Sequence, residues 1–316
     1  MCEGEGGLNT GQTSTLPRRG NPLLSKYAII ARLGVFANLR GTGLRRARGL
    51  ATCREMPGMQ HASPAQASPR LAIIACAVLE DEVEHFARPL PRVTVIEYLP
   101  QLLHNEPARL RRELQEAIDR CEARADVDII ALAYGLCSRG VEDLRHDRCP
   151  FVIARAHDCV TLWLGSKERY ARYQEKHPGT YWYTPGWIKT GTQPGPDREK
   201  YLREKYSAQF DTEDVAYLLE QERAWTANYD RATYVALGEG TGETVAQLDY
   251  TRQCAACLGW TFDHVQGDAT LLRDLFAGPE KWDEARFLIV PPRHGIRMTA
   301  DDSVIKAVPL PQEGKK

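Results

Sequence analysis

The chain predicts an α/β fold, a mostly parallel sheet flanked by helices in a Rossmann-like arrangement, built as one domain or as two lobes. Two observations carry that expectation. Short apolar runs recur from Leu71 onward, and longer amphipathic segments of helical period separate them.

Taken in order, the predicted strands are 71–76 ("LAIIAC"), 93–98 ("VTVIEY"), 128–134 ("DIIALAY"), 151–155 ("FVIAR"), 232–237 ("ATYVAL"), 260–265 ("WTFDHV") and 286–291 ("RFLIVP"). Each is an apolar run of strand length, rich in β-branched or aromatic residues. Between the second and third lies "EPARLRRELQEAIDRCEAR", where Leu110, Leu114, Ala117, Ile118 and Cys121 repeat at helical spacing. Cys121 is therefore expected in a core. A Pro/Gly-rich aromatic stretch, "HPGTYWYTPGWIKTGTQPGPD", divides the early strands from the late ones, so the candidate lobes are 70–180 and 220–300, with 301–316 as a tail. Long ordered loops of this kind tend to be functional.

The first seventy residues follow another pattern, rich in Arg, Gly, Ser and Pro and poor in acid. Residues 1–69 are read as a disordered leader, either a transit peptide or the product of a misassigned start upstream of Met56 or Met59.

With 316 residues, 43% of them hydrophobic and 26% charged, the chain can bury a sizeable core. A net charge of -1 provides no positive field for nucleic acid or an anionic membrane, and no run approaches the ~20 apolar residues of a bilayer span. Nine cysteines in such a length are too sparse for a disulfide scaffold, which points to thiols in a reducing cytoplasm.

Three of those cysteines share a structural position. Cys76 ends the first strand, Cys137 follows "DIIALAYGL" and Cys159 follows "FVIARAHD". All three fall at strand-to-helix turns, which a parallel sheet gathers along its carboxyl edge. His157 lies two residues before Cys159 and, in an extended turn, would face the same side. Cys76, Cys137, His157 and Cys159 are thus candidate ligands for zinc or an iron-sulfur cluster with one open position. His157, alternatively an acid/base, Arg155, at the rim to orient an anion, and Tyr134 are the candidate catalytic residues. Trp182 and Trp187, with Gly186, are candidate cofactor-binding residues, and Tyr134, Trp182, Tyr183 and Trp187 would wall the pocket. The plainer alternatives are a core position for Cys76, a helix-capping role for His157 or Asp158, and loop packing for the aromatics.

Other motifs carry less. Cys254-x-x-Cys257 is a single pair on a predicted helix, and Cys149, Cys2 and Cys53 have no partner geometry. Gly238, Gly240 and Gly242 follow a strand but fit no phosphate-binding pattern, so a tight turn into a helix is expected. Neither Gly-x-Ser-x-Gly nor His-Glu-x-x-His occurs.

The blocks "IIAC", "YGLC", "ARAHDCVTLWLGSKERY", "HPGTYWYTPGWI" and "GDATLLRDLFAGPEKWDEARFLIVPP" together resemble the prokaryotic family known as domain of unknown function 1638, over about residues 70 to 295. That resemblance implies a cytoplasmic protein serving corrinoid-dependent methyl transfer or related one-carbon metabolism, and it supplies no reaction. The chain departs from the family in reading "YGLCSRG" for the usual "YGLCGNG", where Arg139 adds a charge, and "PPRHGI" for a Pro-Gly turn. Two functions follow as expectations. One is a metal-centred enzyme or accessory protein acting on a small-molecule substrate or a corrinoid protein. The other is a non-catalytic binding protein, for a corrinoid, a small molecule or a protein partner, whose buried cysteines hold no metal.

Overall fold

A computed structural model describes residues 68–311 apart from 192 and 239, so the leader up to residue 67 lies outside the described residues. The architecture is mixed α/β, and its central sheet is mostly parallel and flanked by helices, as the sequence pattern predicts.

The first sheet has the order β2-β1-β3-β4-β8, formed by β1 (Leu71–Cys76), β2 (Val93–Leu99), β3 (Ile129–Ala133), β4 (Phe151–Ala154) and β8 (Phe287–Val290). Its first four strands run parallel, and β8 closes the edge antiparallel to β4. Every residue of β1 is buried, because strands pair on both sides of it and helices cover both faces. Helix α1 (Glu80–Phe86) follows β1, and α2 (Pro107–Glu122) connects β2 to β3. The α2 stripe of Leu110, Leu114, Ala117, Ile118 and Cys121 is fully buried, as its spacing requires.

After β4 the chain leaves this sheet through α3 (Val160–Leu164) and α4 (Lys167–Lys176). A second parallel sheet, β5-β6-β7, consists of β5 (Thr180–Tyr183), β6 (Arg231–Ala236) and β7 (Thr261–Gln266). Helices α5 (Pro185–Thr190), α6 (Arg198–Ser207) and α7 (Thr212–Thr226) lie between β5 and β6, and α8 (Val245–Leu258) joins β6 to β7. Helix α9 (Thr270–Ala277) then leads the chain back to the first sheet.

Two features differ from the sequence expectation. The aromatic stretch is no connecting loop: "TYWY" is strand β5 and "PGWIKT" is helix α5. Its Pro and Gly residues punctuate a strand only four residues long, too short to show a period. The 301–316 tail contains β10 (Ile305–Pro309), which pairs antiparallel with β9 (His294–Met298). That hairpin is fastened by Arg155, as described below.

The two parallel sheets meet near their carboxyl edges. Helix α5 packs on the short 3-10 turn Ala77–Leu79 that follows β1, and α3 packs on β6. Gly186 permits the first contact, since a Cβ there would overlap the Val78 carbonyl oxygen. Among the described residues, no helix is long and apolar enough to cross a membrane.

Candidate functional site

Adjacent parallel strands deliver three loops to one edge of the first sheet. Strand β1 ends on Cys76, β3 gives way to Tyr134-Gly135-Leu136-Cys137, and β4 gives way to residues 155–159. Beyond the sheet the last two loops stay joined: Leu136 N–H donates to Ala156 O at 2.9 Å and Cys137 N–H to His157 O at 3.1 Å. Gly135 makes this possible. A Cβ at that position would stand 2.5 Å from Asp158 Cα, a separation that no side chain tolerates.

The backbone then turns against its preference. Cys137, Ser138 and Arg139 have φ of 44°, 57° and 67°, three consecutive left-handed residues without a glycine among them. Such a conformation costs on the order of 1–2 kcal/mol per residue. Packing and polar contacts hold it: Gly140 N–H donates to Cys137 O at 3.1 Å, and Arg139 pairs at 2.6 Å with Glu142, itself 3% exposed. Glu142 also accepts from Met298 N–H at 2.8 Å. Arg139, the residue that departs from the family pattern, is thus engaged in the turn's own ion pair. Strain of this kind, maintained by its surroundings, concentrates at functional sites.

The result is a thiol cluster. Cys137 Sγ and Cys159 Sγ stand 3.7 Å apart, and the Cys159 thiol also meets that of Cys76. All three cysteines are buried. The contact with Cys159, followed by burial, raises the Cys76 thiol well above its ordinary value. The contact with Cys137 is the largest influence raising Cys159. Tyr134 lies against the same group, and burial followed by the nearby thiols raises its phenol strongly. Its buried hydroxyl lies against the Cys76 thiol.

The remaining candidates take other places. His157 is exposed, and its ring lies 6.3 Å from that of Tyr170. The expected same-side geometry requires an extended turn, whereas Cys159 has φ -65° and ψ -24° and enters α3, so the imidazole does not join the thiols. Arg155 offers no free rim charge: it donates to the backbone oxygens of Glu284 at 2.8 Å, Ser303 at 2.9 Å and Ile305. It staples the C-terminal hairpin to β4. Trp182 is 9% exposed and packs in the main core against Tyr173 and Tyr170, at 4.8 and 6.0 Å between ring centres. Trp187 stacks on His104 at 5.6 Å, and Gly186 serves the helix contact already described. Tyr183 donates to Pro194 O at 2.6 Å. Among the described residues, no three His, Cys, Asp or Glu side chains stand as a ready metal-binding group.

Cys254 is buried and Cys257 exposed on α8, so they share no site. Gly238, Gly240 and Gly242 have positive φ, and the helix after them is closed by a Thr244/Gln247 capping box, which gives the expected turn.

Of the two helix-capping candidates, Asp158 takes the role: its carboxylate accepts from Thr161 N–H at 3.3 Å and from Tyr170 Oη at 2.9 Å, and burial raises its pKa. One important residue escaped the sequence reading. Glu82 is wholly buried, although "EDEVEH" reads as the solvated start of a helix. Only Gly135, in a motif otherwise chosen for its cysteine, offered a signal for the loop contact.

Fold and site define an α/β protein with a strained, thiol-lined turn at the carboxyl edge of a parallel sheet. The chain belongs to the family described as protein of unknown function (DUF1638), whose pattern matches residues 98–276, more than half of its length. No curated protein and no solved structure matches it.

Proposed function

We propose that Cys76, Cys137 and Cys159 form a metal centre, for zinc or an iron-sulfur cluster, in a cytoplasmic enzyme or accessory protein of corrinoid-linked methyl metabolism. The observation that carries the metal reading is the convergence of three buried thiols from three separate strands. Their fit supports it. Thiolates at about 2.3 Å from a tetrahedral zinc ion stand ~3.8 Å from one another, close to the 3.7 Å between Cys137 and Cys159. Their mutual contact and burial raise the Cys76 and Cys159 thiols, so metal uptake there requires the loss of their protons. A bound ion would supply Lewis acidity or redox capacity at a position left open to substrate. The Tyr134 hydroxyl, beside the Cys76 thiol, would donate a hydrogen bond to a small molecule at the cluster. The corrinoid connection rests on the family resemblance alone, and a small-molecule substrate or a corrinoid protein is the partner it implies.

A second reading is favoured by the raised thiols and the core positions of the tryptophans: a non-catalytic binding protein, for a corrinoid, a small molecule or a protein partner, with its cysteines metal-free. Elemental analysis and visible absorption of protein purified without oxygen separate the two. Stoichiometric zinc or iron upholds the metal centre, and metal-free protein whose nine cysteines all react as free thiols after unfolding upholds the binding protein.

A further inference from the structure

Cys137 and Cys159 sit in two turns that the backbone holds side by side. Cys137 N–H donates to His157 O at 3.1 Å, and the two Sγ atoms stand 3.7 Å apart although 22 residues separate them in the chain. A disulfide spans ~2.05 Å, which leaves a gap of roughly 1.6 Å to close. The two thiols that touch Cys159 differ in their freedom to close it. Cys76 is the last residue of β1, and its backbone is fixed in the sheet opposite Leu99. Cys137 lies beyond β3 in the strained left-handed turn, where Ser138 and Arg139 after it are exposed.

Accessibility sets this pair apart from the other buried thiols. Cys121 and Cys149 have no exposed surface, and a thiol enclosed in that way is inert, whereas Cys137 is 8% exposed in a turn that reaches solvent. Within the pair, contact with Cys137 is the largest influence raising Cys159, so Cys159 keeps its proton and donates it toward the Cys137 sulfur. Cys137 is then the attacking sulfur, and Cys159 is the second thiol within its reach.

We propose that Cys137 and Cys159 are a peroxide-reactive pair, oxidised to a reversible disulfide by a hydroperoxide. Cys137 Sγ attacks the terminal peroxide oxygen, forming an S–O bond as the O–O bond breaks, and the alcohol leaves with the thiol proton. Cys159 Sγ then attacks the resulting sulfenic sulfur, and the hydroxyl leaves as water with the Cys159 proton. Two thiols lose two electrons, and the hydroperoxide is reduced to alcohol and water. The pair needs no metal, and only under the metal reading above does its oxidation also withdraw two of three ligands. Full-length protein, reduced and freed of metal with a chelator, is treated with hydrogen peroxide, alkylated and mapped by peptide mass spectrometry, whatever metal it held before. A Cys137–Cys159 disulfide should form, reverse with dithiothreitol, and appear at least about tenfold faster than oxidation of the enclosed Cys121 or Cys149. Cys159→Ser should stop at a Cys137 sulfenic acid that dimedone captures. The wild-type map stands without any variant, so a misfolded serine variant does not remove the test. Absence of the Cys137–Cys159 link, a Cys76–Cys159 link in its place, or oxidation of Cys121 at the same rate overturns the proposal.

Discussion

Gly135 and Asp158 approach so closely that a single added carbon at Gly135 would lie 2.5 Å from the Asp158 backbone. That contact joins the turn after β3 to the turn after β4 and so brings Cys137 to Cys159. Gly135→Ala must push the loops apart, at a cost of about 1–3 kcal/mol for overpacking. The variant should melt at a lower temperature, and its three clustered thiols should react faster with a thiol reagent in the native state. An unchanged reaction rate would show that the cluster does not depend on this contact.

Substitution within the cluster separates a ligand from a packed thiol. Cys137→Ser should lower metal content, as should Cys76→Ser and Cys159→Ser, because a hydroxyl is a poor replacement for a soft thiolate. Cys121→Ser, in the α2 core, should leave metal content unchanged and lower stability instead. His157→Ala should change neither by much, since its ring is exposed. Elemental analysis and melting curves of the five variants decide the matter.

The legible part of the molecule was the part written in repetition. The buried strand of "LAIIAC" and the helical stripe from Leu110 to Cys121 are periodic, and the structure places both in the core. The convergence of Cys76, Cys137 and Cys159 was also legible, because parallel topology alone assigns strand ends to one edge. The orientation of His157 was not, since it depends on whether residues 157–159 run extended or begin a helix. Nor was the role of Arg155, whose partners lie 129 to 150 residues away. Glu82 was hidden for a similar reason: the partner that receives its carboxylate in the core, Trp163, lies 81 residues distant.

Arg155 should behave as a staple. Arg155→Ala removes hydrogen bonds to three backbone carbonyls, and charge-assisted bonds of this kind are worth about 1.5–3 kcal/mol. Hydrogen exchange should accelerate over 294–309, where β9 and β10 pair, while β1 and β3 remain protected. Metal content, or any activity found, should fall only as far as stability does. Selective loss of activity in a stable Arg155→Ala protein would return this residue to the site.

Glu82 predicts the sign of one pH dependence. Burial, the largest influence, raises its carboxyl from 4.5 to about 7, with Asp81 adding to the rise and Trp163 and Lys189 opposing it. Between those values the folded protein holds a proton that the unfolded chain has released, so folding is penalised progressively as pH rises. Below the unfolded value both states are protonated and the penalty vanishes. Above about 7 it is complete, on the order of 3 kcal/mol. Glu82→Gln stays neutral throughout, so the difference in unfolding free energy between variant and wild type should grow in the variant's favour from pH 5 to 8. Urea melts across that range measure the difference directly, and subtraction removes contributions from the other carboxylates. A flat difference would mean that Glu82 is already ionised in the folded protein, paired with a cation or water that satisfies Oε2.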